Sequence, residues 1–262
     1  MQTFPVPIHH QDEHLLIVHK PAGLLVHRTA LDRHEHDSLL DRLREWLPPA
    51  DAAGLAPAHR LDKGTSGLLI FTRHAEAARQ MRRLFDQGRV HKRYLALVRG
   101  WPTPTGACDH PLARDPERPS QGQVHLPAVT RYRRLARVEW PLSVDPRFPT
   151  ARYALMEAEP LTGRRHQIRR HFKHLAHPLV GDATHGKGPH NRAVAAWTGC
   201  TPGRMPVGAP PLAAAGTDDG CDGEPDPDEA EADEAGADGD GPPGPVGGPM
   251  GDIAPSDIWV PR

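Results

Sequence analysis

His59-Arg60-Leu61-Asp62-Lys63-Gly64-Thr65-Ser66-Gly67 runs without a break into the apolar stretch Leu68-Leu69-Ile70-Phe71. One carboxylate sits between two cations and a Gly/Thr/Ser turn, directly before residues that read as a buried strand. Such a turn lets the backbone approach a ligand closely, and the strand behind it supplies a rigid base. As a charge cluster alone the stretch is a surface turn with Arg, Asp and Lys close by chance. Nine residues in this order are harder to set aside, and they are how a reactive carboxylate would be presented.

Upstream, His14 to His19 reads as a short buried strand, Lys20-Pro21-Ala22-Gly23 as the turn that ends it, and Leu24 to His27 as its partner. Asp37 is placed to cap a helix to about Leu47, because Leu39, Leu40, Leu43, Trp46 and Leu47 fall on one face. Downstream, Ala77, Ala78, Met81, Leu84 and Phe85 repeat that spacing, with Gly88 as the C-terminal cap. Lys92 to Val98 has strand composition and points Tyr94, Ala96 and Val98 to one side. Residues 101 to 127 read as a long polar connection enclosing at most a short hairpin. Val129 to Leu135 and Arg152 to Ala158 read as two further strands.

A second dense constellation is Leu161-Thr162-Gly163-Arg164-Arg165-His166-Gln167-Ile168-Arg169-Arg170-His171. Ile168, Phe172 and Leu175 form an apolar stripe, so a helix should start near Arg165, its first-turn N–H groups adding to the arginines' attraction for an anion. His171 and His174 can share a helix face, but no carboxylate stands at the spacing of a zinc hydrolase, which disfavours a metal site.

The Asp62 stretch, Lys92 to Val98 and Leu161 to His171 resemble the three motifs of the RluA-type pseudouridine synthases, in the same order. The Lys-Pro-Ala-Gly turn and His177-Pro178-Leu179-Val180-Gly181-Asp182 resemble further elements of that family. The resemblance implies an α+β fold: a mixed, mostly antiparallel sheet with flanking helices and a central active-site cleft. It implies isomerisation of uridine to pseudouridine in RNA without cofactor or metal. Asp62 would be the nucleophile, by attack on the sugar, attack on the base or removal of a ribose proton. Tyr94 would stack on the base and Arg169 pair with Asp62. Arg60 would fill the space left by the flipped base, and His59, Thr65, Arg164, His166, Gln167 and Ile168 would line the substrate site. Thr184-His185-Gly186 followed by His190-Asn191-Arg192 resembles the branch acting on tRNA at uridine 65, which puts tRNA ahead of ribosomal RNA as partner.

The 262 residues carry a net charge of −1, which hides a division. After residue 192 there are fourteen acids and two arginines, so residues 1–192 carry +11 and the remainder −12. A basic body suits a polyanion. Family-like sequence stops at Arg192, and the last 70 residues contain 13 Gly and 12 Pro, a composition expected to be disordered. The expected organisation is a catalytic domain over 1–192 and an acidic tail over 193–262. The three cysteines form no close pair and no apolar run is long enough to span a bilayer, so a cytoplasmic protein is expected. A rival reading is an RNA-binding remnant, since the strands that follow this point in the family are replaced by the acidic tract.

Overall fold

The computed structural model describes residues 6–28 and 34–199. The expected disorder of the tail falls on residues 200–262, outside the described residues.

The first half is a four-stranded antiparallel sheet of β1 (Ile8–Gln11), β2 (Leu15–Lys20), β3 (Ala56–Pro57) and β4 (Gly67–Thr72), in the order β1-β2-β4-β3. Alternation along β2 turns Leu16, Val18 and Lys20 inward. Leu39, Leu40 and Leu43 of α1 (Leu39–Trp46) pack with Leu16, Val18, Leu69 and Phe71. Each buried leucine contributes about 1.5–3 kcal/mol. The exposed pairs Arg28–Asp41 and Arg42–Asp37 are each worth about 1 kcal/mol at most, so packing, not charge, docks the helix. A short α2 (Pro49–Ala53) leads into β3, and α3 (Ala75–Asp86) follows β4 and ends at Gly88, whose φ is 67°.

The second sheet, also antiparallel, joins β5 (Tyr94–Arg99), β6 (Thr105–Asp109), β9 (Val129–Trp140) and β10 (Ala151–Pro160) in the order β5-β10-β9-β6. β7 (Leu112–Ala113) and β8 (His125–Leu126) pair as a separate hairpin. Ala154, Met156 and Ala158 of β10 pack with Ala96, Val98 and with Phe172 of α4 (Gln167–His174). Ala151 and Tyr153 pack instead with Val138, Trp140 and Val194 of α5 (Gly188–Thr198). α5 thus carries helical structure past residue 192, into the segment expected to be tail.

Four local expectations are corrected. Leu24 to His27 is not a strand: β2 pairs with β1 and β4, because the Lys20 ammonium donates to the carbonyls of Pro21 and Leu24 and curls the chain, with Gly23 at φ 86°. Ser38, not Asp37, caps α1; its Oγ accepts from the Asp41 N–H, while Asp37 pairs with Arg42. α4 starts at Gln167 rather than near Arg165, since His166 takes a left-handed conformation with φ 55°. The stretch 101–127 contains not only the hairpin but the edge strand β6, which shows little apolar alternation. There Gly106 lies under Tyr132, whose hydroxyl would be 2.4 Å from an added Cβ.

Candidate active site

Asp62 lies in the loop between β3 and β4, and both ends of that loop are pinned. The amide of Ile70 donates to His59 Nε2 at 3.2 Å. Burial pushes His59 down to about 4, so it stays a neutral acceptor. Past Asp62, the Thr65 amide closes a turn onto the Asp62 carbonyl at 3.0 Å. The Lys63 carbonyl accepts from the Gly23 amide at 2.8 Å and from Lys20 Nζ at 3.2 Å. Lys20 is fully buried, and desolvation brings it to about 8 although Asp62 opposes the shift. The Lys-Pro-Ala-Gly turn is therefore the clamp that holds the loop.

Arg169 reaches Asp62 from the other half. Its Nη1 donates to Asp62 Oδ2 at 2.8 Å, while Nε and Nη2 donate to the two oxygens of Asp182 at 2.7 and 2.8 Å. The Asp182 side chain is 3% exposed and that of Asp62 33%, so one carboxylate is an anchor and the other is partly open to solvent. Burial alone would lower the Arg169 pKa, but the hydrogen bonds it donates to Asp182 and Asp62 raise it well above its usual value. For Asp182, burial acts upward and is outweighed by Arg169 and by the amides of Thr184 and His185, which hold it below the usual carboxylate range. Asn191 fastens this loop, accepting from the Gly181 amide and donating to the Asp182 carbonyl, both at 2.9 Å.

Tyr94, the first residue of β5, is half-buried beside this group; burial and then the Asp62 charge raise its phenol, which stays protonated at neutral pH. His166 Nε2 is 3.9 Å from Asp62 Oδ2, and its Nδ1 is 3.2 Å from His185 Nε2. Burial lowers both rings, His185 to about 4. Arg60 is exposed at the loop surface and Thr65 serves the turn.

Gln167 and Arg164 stand apart from this cluster. Gln167 is buried; its Oε1 accepts from Thr162 Oγ1 and the Arg164 amide, and its Nε2 donates to the Val129 carbonyl and Thr130 Oγ1. It latches the loop before α4 to β9. Arg164 Nε donates to the Pro127 carbonyl, and Ile168 packs with Phe172 and Ala96. Lys20, Asp182, His185 and Asn191 are site residues that motif reading left out. Alternation along β2 did put Lys20 on the core side, where a lone cation needs a purpose. Among the described residues, no three His, Cys, Asp or Glu side chains converge in a way that could hold a metal ion. No helix among them is long and apolar enough to cross a membrane.

The fold that brings this carboxylate and arginine together resembles those of solved structures. Human RNA Pseudouridylate Synthase Domain Containing 1 superposes with a TM-score of 0.55 at 28% identity, covering 72% of this chain and 74% of its own. Human RNA Pseudouridylate Synthase Domain Containing 4 does so with 0.54 at 27%, covering 70% of each. The RNA pseudouridylate synthase family profile matches residues 14–174. The tRNA pseudouridine synthase C of Vibrio parahaemolyticus is 43% identical over 197 residues, 73% of this chain and 78% of that protein. Its namesake in Vibrio cholerae is 44% identical over 188 residues, 70% and 75% of the two chains. The chain belongs to the RNA pseudouridylate synthase family, with the RluA-type enzymes that its motifs resemble.

Proposed function

We propose that this protein isomerises one uridine of tRNA to pseudouridine, with Asp62 as the nucleophile. The observation that carries the reading is the bridge of Arg169 between Asp62 and Asp182. It fixes Oδ2 of Asp62, while Oδ1 has no protein partner among the described residues and is left for the nucleotide. The reaction breaks the N1–C1′ bond of uridine, turns the uracil and joins C5 to C1′; the proton leaving C5 is balanced by one gained at N1. No electron is lost or gained, so no cofactor enters.

The target base must leave its stack, at a cost of about a few kcal/mol. Arg60, exposed two residues before the nucleophile, fills the vacated space, and Tyr94 stacks on the uracil. With its phenol protonated, Tyr94 also serves proton transfer at C5. Arg169 keeps Asp62 ionised and aimed. His59, Thr65, His166 and Ile168 shape the pocket, and Arg164 and Gln167 hold the loop at its rim. The catalytic unit is the body of the chain through α5; the acidic tract lies outside it, and the protein works in the cytoplasm.

The substrate assignment rests on the tRNA pseudouridine synthase C relatives and on Thr184-His185-Gly186 with Asn191, which builds the Asp182 anchor; uridine 65 is the proposed position. Incubation with tRNA and ribosomal RNA transcripts, followed by mapping of pseudouridine by carbodiimide adduct and primer extension, tests it. A stop at position 65 of tRNA is expected. A stop only in ribosomal RNA would overturn the substrate, and none in either RNA would overturn the activity.

A further inference from the structure

Between the end of α4 and the β7–β8 hairpin lies a hollow of about 440 Å³. Its polar wall carries three cations, Arg118, Arg170 and Lys173, beside the rings of His110, His125 and His174, against the single carboxylate of Asp115. Asp115 is itself engaged, 3.3 Å from Arg118 and 4.0 Å from Arg165. The Lys173 ammonium has no ion pair among the described residues.

The wall is built rather than loose. The rings of His110 and His174 stack with centroids 3.8 Å apart and planes 15° from parallel. The His110 carbonyl accepts from His171 Nε2 at 3.1 Å; His171 is buried, with Nδ1 2.9 Å from Thr130 Oγ1, the hydroxyl that Gln167 also bonds. Arg170 Nη1 donates to the Ala113 carbonyl at 2.9 Å, which leaves its other donors for a ligand, and His125 is held by Ser120 at 2.9 Å. His185 closes the inner side of the hollow and touches His166, the neighbour of Asp62. So the hollow and the nucleophile are one pair of rings apart. Burial, and then His174, His125 and Arg170, disfavour the charge on His110. Arg170 and Lys173, with no carboxylate of their own at the wall, and the N–H donors of the neutral imidazoles are what an anion satisfies.

We infer that this hollow receives a backbone phosphodiester of the RNA strand that delivers the reactive uridine to Asp62. The inference rests on the RNA-modifying function proposed above and adds a second point of hold, which sets the strand's register while the base turns. Lys173 supplies the unpaired charge, and the edge of the stacked His174 supplies a donor.

Lys173→Gln with His174→Gln, both exposed positions, tests it beside Arg147→Gln, a surface arginine of the loop after β9 paired with Asp145. Dissociation constants for a tRNA transcript are measured across a salt series, and tritium release from 5-tritiated uridine is followed in the same RNA. The double variant should bind about 3–10-fold more weakly near 0.1 M salt, with the log–log salt slope smaller by about 1. Its KM should rise while kcat holds, and Arg147→Gln should match the wild type. A double variant with wild-type affinity and slope overturns the phosphate site while leaving the activity standing, as does an equal loss in Arg147→Gln. Wild-type protein that binds tRNA with the full slope but releases no tritium overturns the synthase reading and keeps the hollow as an RNA site. Wild-type protein that binds no RNA overturns both.

Discussion

The two oxygens of Asp62 are treated differently: Arg169 holds Oδ2, and Oδ1 has no protein partner among the described residues. What makes this possible is Asp182, which takes two of the three guanidinium nitrogens and lets Arg169 offer the third in a fixed direction. Asp182→Asn keeps the shape and removes the anchoring charge. Turnover should fall about 10²-fold, because a misplacement of about 1 Å is enough, while the Kd for RNA holds. Single-turnover rates beside filter binding check this, and unchanged turnover would contradict it. Tyr94→Phe keeps a ring for stacking and deletes the hydroxyl. RNA should bind as before, and the chemical step should slow by about 10²–10⁴-fold if the phenol moves a proton. Asp62, Tyr94 and Arg169 were legible because each lies in a dense local motif. Asp182 and Asn191 were less so, since their roles are contacts made after folding. Lys20 was half legible: the alternation of β2 placed it inward, but its partners, the carbonyls of Pro21, Leu24 and Lys63, appear only once the loops meet.

At the scale of elements, α4 shows where periodicity stops informing. The Ile168–Phe172–Leu175 stripe located the helix, but the stripe cannot see the backbone before it. His166 adopts a left-handed conformation uncommon for a residue with a Cβ, and the Gln167 side chain gathers Thr162, Arg164, Val129 and Thr130 around that turn. Gln167→Ala would strand buried groups on both sides at about 1–3 kcal/mol, or a melting temperature lower by about 3–10 °C. Calorimetry reads that loss, and a change below about 1 °C would mean that the latch holds nothing. β6 was missed for a related reason: Thr105 to Asp109 carries its pairing in the backbone and in a glycine that admits Tyr132, not in apolar alternation.

Across the molecule, two sheets keep separate cores, and the Asp62–Arg169–Asp182 bridge runs between loops and helix supported by each. The charge division of the chain was visible in composition; this junction was not, because Asp62 and Arg169 are 107 positions apart. The Asp182 pKa is depressed on folding, so its contribution to stability is present above its unfolded value of about 3.8 and is lost as pH falls through the lower folded value. Melting temperature should therefore drop below about pH 4, and Asp182→Asn should flatten that acid limb relative to the wild type. Parallel curves for the two proteins would remove Asp182 as a source of the drop. The central claim, that Asp62 carries out uridine isomerisation, meets its most direct test in tritium release from 5-tritiated tRNA by the wild-type chain and by Asp62→Asn. The account predicts release by the first and none by the second, with both binding the RNA. Release at the wild-type rate by a folded Asp62→Asn protein would contradict it.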